Sequence, residues 1–110
     1  MLLAKESCVP CRGGQGGLDP SAIADLLPHV PSWQLGEDKL SLQRRFSFAD
    51  FKEAMVFVNR MATVAEAEGH HPDFTVHYKV VDVSLSTHDV GGLSRNDFIL
   101  AAKLAALTGP

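Results

Sequence analysis

EAEGHHPDFTVHYKVVDVSLST, Glu66 to Thr87, contains the change of periodicity on which the fold turns. Ahead of it, Phe51, Ala54, Met55, Val58, Met61, Ala62 and Ala65 recur at helical spacing, giving one apolar stripe. Gly69 supplies the stop, because glycine readily takes the left-handed conformation that closes a helix. Pro72 forces His71 into extended backbone, since the proline ring collides with an α-conformation at the preceding residue. The apolar phase then runs Val76 and Tyr78, followed by Val81, Val83 and Leu85, slipping by one near Lys79. A slip turns every later side chain to the opposite face, so the stretch predicts a tight hairpin or a bulge.

Upstream, SWQLGEDKLSLQRRF reads as another hairpin, with Trp33 and Leu35, a turn at Gly36-Glu37-Asp38, then Leu40, Leu42 and Arg44. Ser47 and Asp50 form an S-x-x-D capping pattern ahead of the long helix. Before the hairpin, Asp19 is an N-cap with Pro20 at the first helical position, and Pro28 limits that helix to about two turns. Downstream, THDVGGL is a loop, and Ser94 with Asp97 opens a last helix through FILAAKLAAL. The order α-ββ-α-ββ-α implies an α+β, two-layer domain: a four-stranded antiparallel sheet with three helices on one face.

The 110 residues fit one domain, and 45% hydrophobic with 21% charged residues is ordinary globular composition. A net charge of −3 argues against a nucleic-acid footprint, which needs a basic face. No apolar run reaches bilayer length, and MLLAKESCVPCRGG offers no secretory core, so the expectation is cytoplasmic, with no membrane partner. Residues 1–17 are expected to be a flexible N-terminal tail, glycine-rich from Gly13 to Gly17, with the domain over 18–110. Cys8 and Cys11 stand in that tail as CVPC. One CxxC is half of a zinc site, and the redox motif needs a helix start after a strand. A surface tail without chemistry is the expectation, with metal capture or thiol reactivity as alternatives.

Of five histidines, His29 and His77 read as solvent-facing. His70 and His71 follow Gly69 in extended backbone, where successive side chains point in different directions. They are poorly placed to chelate one metal and well placed to touch two parts of one ligand. His88 ends the last expected strand, and the hairpin can return it beside the pair. Histidine titrates near ~6.5, so three converging imidazoles can exchange protons at neutral pH. Zinc held by three histidines, or a polar loop without chemistry, stays open on spacing alone.

EAEGHHP and VSLSTHDVGGLSRNDFILAAK, with SWQL and FSFADFKEAMVFVNRMATVAE, resemble the pterin-4a-carbinolamine dehydratase family in its bacterial form. The likeness runs from Trp33 to about Leu104. Its specific parts are the acidic-x₃-His-His-Pro pattern at Glu66 to Pro72 and the STH at Ser86 to His88. The resemblance implies a four-stranded antiparallel sheet with helices on one side, assembled as a homotetramer or homodimer. It implies dehydration of 4a-hydroxytetrahydrobiopterin to quinonoid dihydrobiopterin, without cofactor or metal, serving an aromatic amino acid hydroxylase pathway. By matching position, His70, His71 and His88 are its catalytic histidines. Glu66, Ser86, Thr87, Asp97 and Trp33 would hold the pterin or orient the imidazoles. Phe74 stands where many relatives carry tryptophan. Asp97 also fits a plain capping role, Trp33 a packing role and Glu66 a solvated helix end. The family has non-catalytic members too, so a Rubisco assembly factor or transcription-factor dimerisation partner is the alternative.

Overall fold

The computed structural model describes residues 2–9 and 17–108; Cys11 lies outside them. Helix α1 (Pro20–Leu26) begins at Asp19, whose side chain accepts the Ala22 N–H, with Pro20 just inside the start. It runs into a 3₁₀ turn at Leu27–His29. Strands β1 (Gln34–Leu35) and β2 (Leu42–Ser47) form the first hairpin, with Leu35 opposite Leu42.

Helix α2 (Phe51–Glu68) starts three residues later than the S-x-x-D pattern at Ser47 implied. Ser47 remains in β2, paired with Val80, and the cap is Asp50, which accepts the Glu53 N–H at 2.8 Å. Glu53 reaches back to the Ala49 N–H. The strand partner on β4 outcompetes the local capping option at Ser47. The buried stripe is Ala54, Phe57, Met61 and Ala65, whereas Phe51 and Ala62, expected inside, face solvent. The later start does not rotate the helix. Phe57 lies three residues beyond Ala54 and stacks on Phe46 and Phe48, a cluster that the simple periodic count passed over.

Strands β3 (Asp73–His77) and β4 (Val80–Leu85) form the hairpin that the phase slip predicted. Its turn is two residues long, and Tyr78 sits in it at φ 55°, exposed, outside the strand pattern. Helix α3 (Arg95–Ala106) opens with the Ser94–Asp97 capping box.

The sheet order is β1-β2-β4-β3, antiparallel throughout, with three helices on one face. Leu42, Phe46, Val81, Val83 and Leu85 point toward the helices and are buried. The opposite face is polar: Gln43 pairs with Ser84, and Arg45 makes a two-pronged ion pair with Asp82 at 2.8 and 3.1 Å. Each half of the two-layer core thus comes from period-two and period-3.6 patterning respectively.

Helix α3 is buried continuously from Asn96 to Ala101. A helix covered on one side alone buries a stripe, so unbroken burial means cover from a second direction. Residues 2–9 provide it. Leu3 is buried, Arg95 grips Glu6 through two bonds of 2.8 and 2.7 Å, and Lys103 Nζ donates to the Ala4 carbonyl. Residues 2–9, read from composition as part of the tail, form a strap docked on α3. The glycine-rich composition begins after Cys11, and Leu3 belongs to the core.

Candidate active site

Register alone brings the sequence-marked segments together. Asp73 lies opposite Ser84, so the residues just before β3 run alongside those just after β4. His70 and His71 belong to the first group; Ser86, Thr87 and His88 belong to the second. Gly69 makes the approach possible: at φ 65° it closes α2, its N–H bonded to the Ala65 and Glu66 carbonyls. The His70 N–H also returns to the Ala65 carbonyl.

His70 Nε2 meets Asp97 Oδ1 at 2.6 Å. Asp97 is fully buried, and its other oxygen, Oδ2, accepts from Thr87 Oγ1 at 2.7 Å and the Ser94 N–H at 2.9 Å. A buried carboxylate without donors would be costly; here three groups satisfy it. A carboxylate only accepts, so the proton on His70 Nε2 points at Asp97. In the neutral ring, Nδ1 is then left with its lone pair. Capping and ring orientation coexist at Asp97: one oxygen closes the helix and the other holds the imidazole.

His71 Nε2 pairs with Glu66 Oε2 at 2.5 Å, on the surface, the side chains being 61% and 78% exposed. The adjacent imidazoles thus engage two different carboxylates, which is the splayed arrangement that the extended backbone predicted. Among the described residues, no three His, Cys, Asp or Glu side chains gather into a group able to hold a metal ion.

Thr87 is buried, forms an isolated bridge with Gly92, and bonds to both Asp97 and Ser94 through its hydroxyl. His88 follows it at the start of a 3₁₀ turn, His88–Val90, not at the end of a strand; its ring is exposed. β4 ends at Leu85, and half-buried Ser86 links it to that bridge. Trp33 lies elsewhere, buried edge-on against Phe46 in the core. Structure therefore joins His70, Thr87 and Asp97 directly, sets His71 with Glu66 beside them, and leaves Trp33 in the packing.

A cleft of about 290 Å³ opens at His70, lined by Val9, Glu68, Gly69, Thr87, Asp89 and Asn96 as well. Val9, Glu68 and Asn96 carried no sequence signal of their own. Their presence follows from the docked strap, which the glycine-rich stretch after it disguised.

The family model described as "Pterin 4 alpha carbinolamine dehydratase" matches residues 17–107. This chain belongs to the pterin-4a-carbinolamine dehydratase family. A relative from Stenotrophomonas maltophilia (strain K279a), provisionally named a pterin-4-alpha-carbinolamine dehydratase, is 51% identical over 106 residues, covering 96% of this chain and 91% of its own. One of the same provisional name from Xanthomonas campestris pv. campestris (strain B100) is 50% identical over 105 residues, covering 96% and 89%. Among solved structures, a transcriptional coactivator/pterin dehydratase from Brucella melitensis superposes with a TM-score of 0.82 at 33% identity, over 86% of this chain and all of that one. A pterin dehydratase-like protein, described as a RuBisCO assembly factor in the alpha-carboxysome, gives 0.62 at 25% identity over 71% and 90%. The family match from residue 17 to 107 thus spans the sheet, the helices and the His70–Asp97 pair.

Proposed function

We propose that this protein catalyses loss of water from 4a-hydroxytetrahydrobiopterin to give quinonoid dihydrobiopterin, by proton transfer through histidines in the cytoplasm. The pairing of half-buried His70, at the cleft, with buried Asp97 carries this reading. The reaction breaks the C4a–O bond and the N5–H bond, and forms the C4a=N5 double bond. A base takes the N5 proton while an acid protonates the departing hydroxyl, so protons balance over the turnover. His70 is the base: Asp97 fixes the Nε2–H tautomer, leaves Nδ1 free to accept, and stabilises the imidazolium that forms. His71 or His88 gives the proton to the leaving hydroxyl, and Glu66, Ser86 and Thr87 hold ring and imidazoles in place. A homotetramer or homodimer is the assembly proposed, with no cofactor required.

The test is the rate of quinonoid dihydrobiopterin formation from the carbinolamine, measured on protein treated with EDTA. Catalysis well above the spontaneous rate supports the proposal; a folded, EDTA-treated sample with no activity overturns it.

The coactivator and RuBisCO-assembly descriptions of the two structural neighbours favour a second, binding role. Such a role uses exposed surface, so partner capture should survive His70→Ala. Capture lost with the histidine would tie any partner to the cleft instead.

A further inference from the structure

We infer that the N-terminal strap, residues 2–9, is a wall of the pterin cleft, that Val9 contacts the bound pterin, and that Asn96 positions this wall. The inference rests on the dehydratase reading and names a specificity element within it.

The strap's end is held in a particular way. Cys8 N–H donates to Glu68 Oε1 at 2.7 Å, Val9 N–H donates to Asn96 Oδ1 at 3.0 Å, and Asn96 Nδ2 donates to the Val9 carbonyl at 2.6 Å. The Asn96 amide thus binds both backbone groups of one residue, as a neighbouring strand would, and fixes where that residue lies without restricting its side chain. Glu68 stands two positions before His70, and Asn96 immediately precedes Asp97. One short segment therefore grips the chain next to both members of the 2.6 Å pair.

Val9 has no packing duty that explains its position. Leu3 anchors the strap in the core, whereas Val9 is 66% exposed and lines the same cleft as His70 and Thr87. Ligand clefts combine apolar wall with a few fixed polar groups, and the described lining is otherwise mostly polar. Val9 supplies the apolar surface that a flat reduced pterin, or its C6 substituent, would cover.

The experiment compares KM and kcat for carbinolamine dehydration, and equilibrium binding of 7,8-dihydrobiopterin, in wild type, Val9→Ala, Val9→Ile, Val9→Asp and Asn96→Ala. At an exposed position, the Val9 variants fold. Val9→Asp should raise KM and the dihydrobiopterin Kd about tenfold, Val9→Ala about threefold, with Val9→Ile near wild type and the loss lying in KM more than kcat. Asn96→Ala should weaken binding similarly and speed hydrogen exchange at the Val9 amide. Unchanged KM and Kd in Val9→Asp overturn the strap proposal, as does Asn96→Ala that frees the Val9 amide without weakening binding. Wild type that binds dihydrobiopterin Val9-dependently but dehydrates nothing overturns only the dehydratase reading. Wild type that neither binds nor dehydrates overturns both.

Discussion

His70 and Asp97, 27 positions apart in the chain, meet through Nε2 and Oδ1 at 2.6 Å, and Asp97 is fully buried where they meet. Neither sits there by accident of a mobile loop. Gly69 and the β3–β4 register deliver the histidine, and the capping box of α3 delivers the carboxylate. A rigid helix start and a closed helix end are what hold a histidine and a carboxylate in one geometry.

Asp97→Asn separates catalysis from capping. The amide oxygen can still face Thr87 and the Ser94 N–H, while its NH₂ turns to His70 and drives the ring proton to Nδ1. The fold should survive and the base should not. We expect kcat to fall roughly 10²–10⁴-fold, with the midpoint of urea unfolding moved far less than in Asp97→Ala. Asp97→Ala takes the acceptor from His70 Nε2, the buried Thr87 hydroxyl and the Ser94 N–H, and should cost about 2–5 kcal/mol in the same titration.

Gly69→Ala tests backbone strain by itself. A Cβ there meets nothing within 4 Å, so no clash enters, only the cost of φ 65° for an alanine. Urea denaturation should show a loss of about 1 kcal/mol.

Cys8 reports on the strap. Burial, and then the negative charge of Glu68, push its thiol up from 9.0 to about 12. The folded pKa is raised, so this contribution to docking is complete below about pH 9 and is lost as pH climbs toward 12. In a Cys11→Ser background, iodoacetamide at pH 8.5 should alkylate the native chain at least about tenfold more slowly than the urea-unfolded chain, since only thiolate reacts. Equal rates would mean that the strap is not docked.

Trp33→Phe should leave dehydration kinetics unchanged. The indole packs edge-on to Phe46, away from the lining of the His70 cleft, and its buried Nε1–H has no hydrogen-bond partner among the described residues. Removing an unpaired donor offsets part of the cavity that the smaller phenyl ring leaves in the core, so stability should fall by only about 1–2 kcal/mol. A large rise in KM would return Trp33 to the site.

Much of this was legible in the sequence because local rules and tertiary structure agree. The phase slip at Lys79 became a two-residue turn, and Ser94-x-x-Asp97 became a capping box. Gly69 and Pro72 splayed the two histidines as their backbone preferences require. Failures came where a distant partner outweighed a local pattern. Ser47 carries a capping signature but is held in β2 by Val80. The strap looked like a lead-in because its docking is made by Asn96, Arg95 and Lys103, roughly ninety residues away, and by no periodicity of its own. His88 was expected at a strand end, but the Thr87–Gly92 bridge starts a 3₁₀ turn first.

The central claim, proton transfer through His70, is tested most directly by kcat of His70→Ala on 4a-hydroxytetrahydrobiopterin, alongside wild type, with the fold checked by circular dichroism. The account predicts a fall of about 10²–10⁴-fold toward the spontaneous rate in a folded protein. A folded His70→Ala variant that keeps kcat within about threefold of wild type would contradict it.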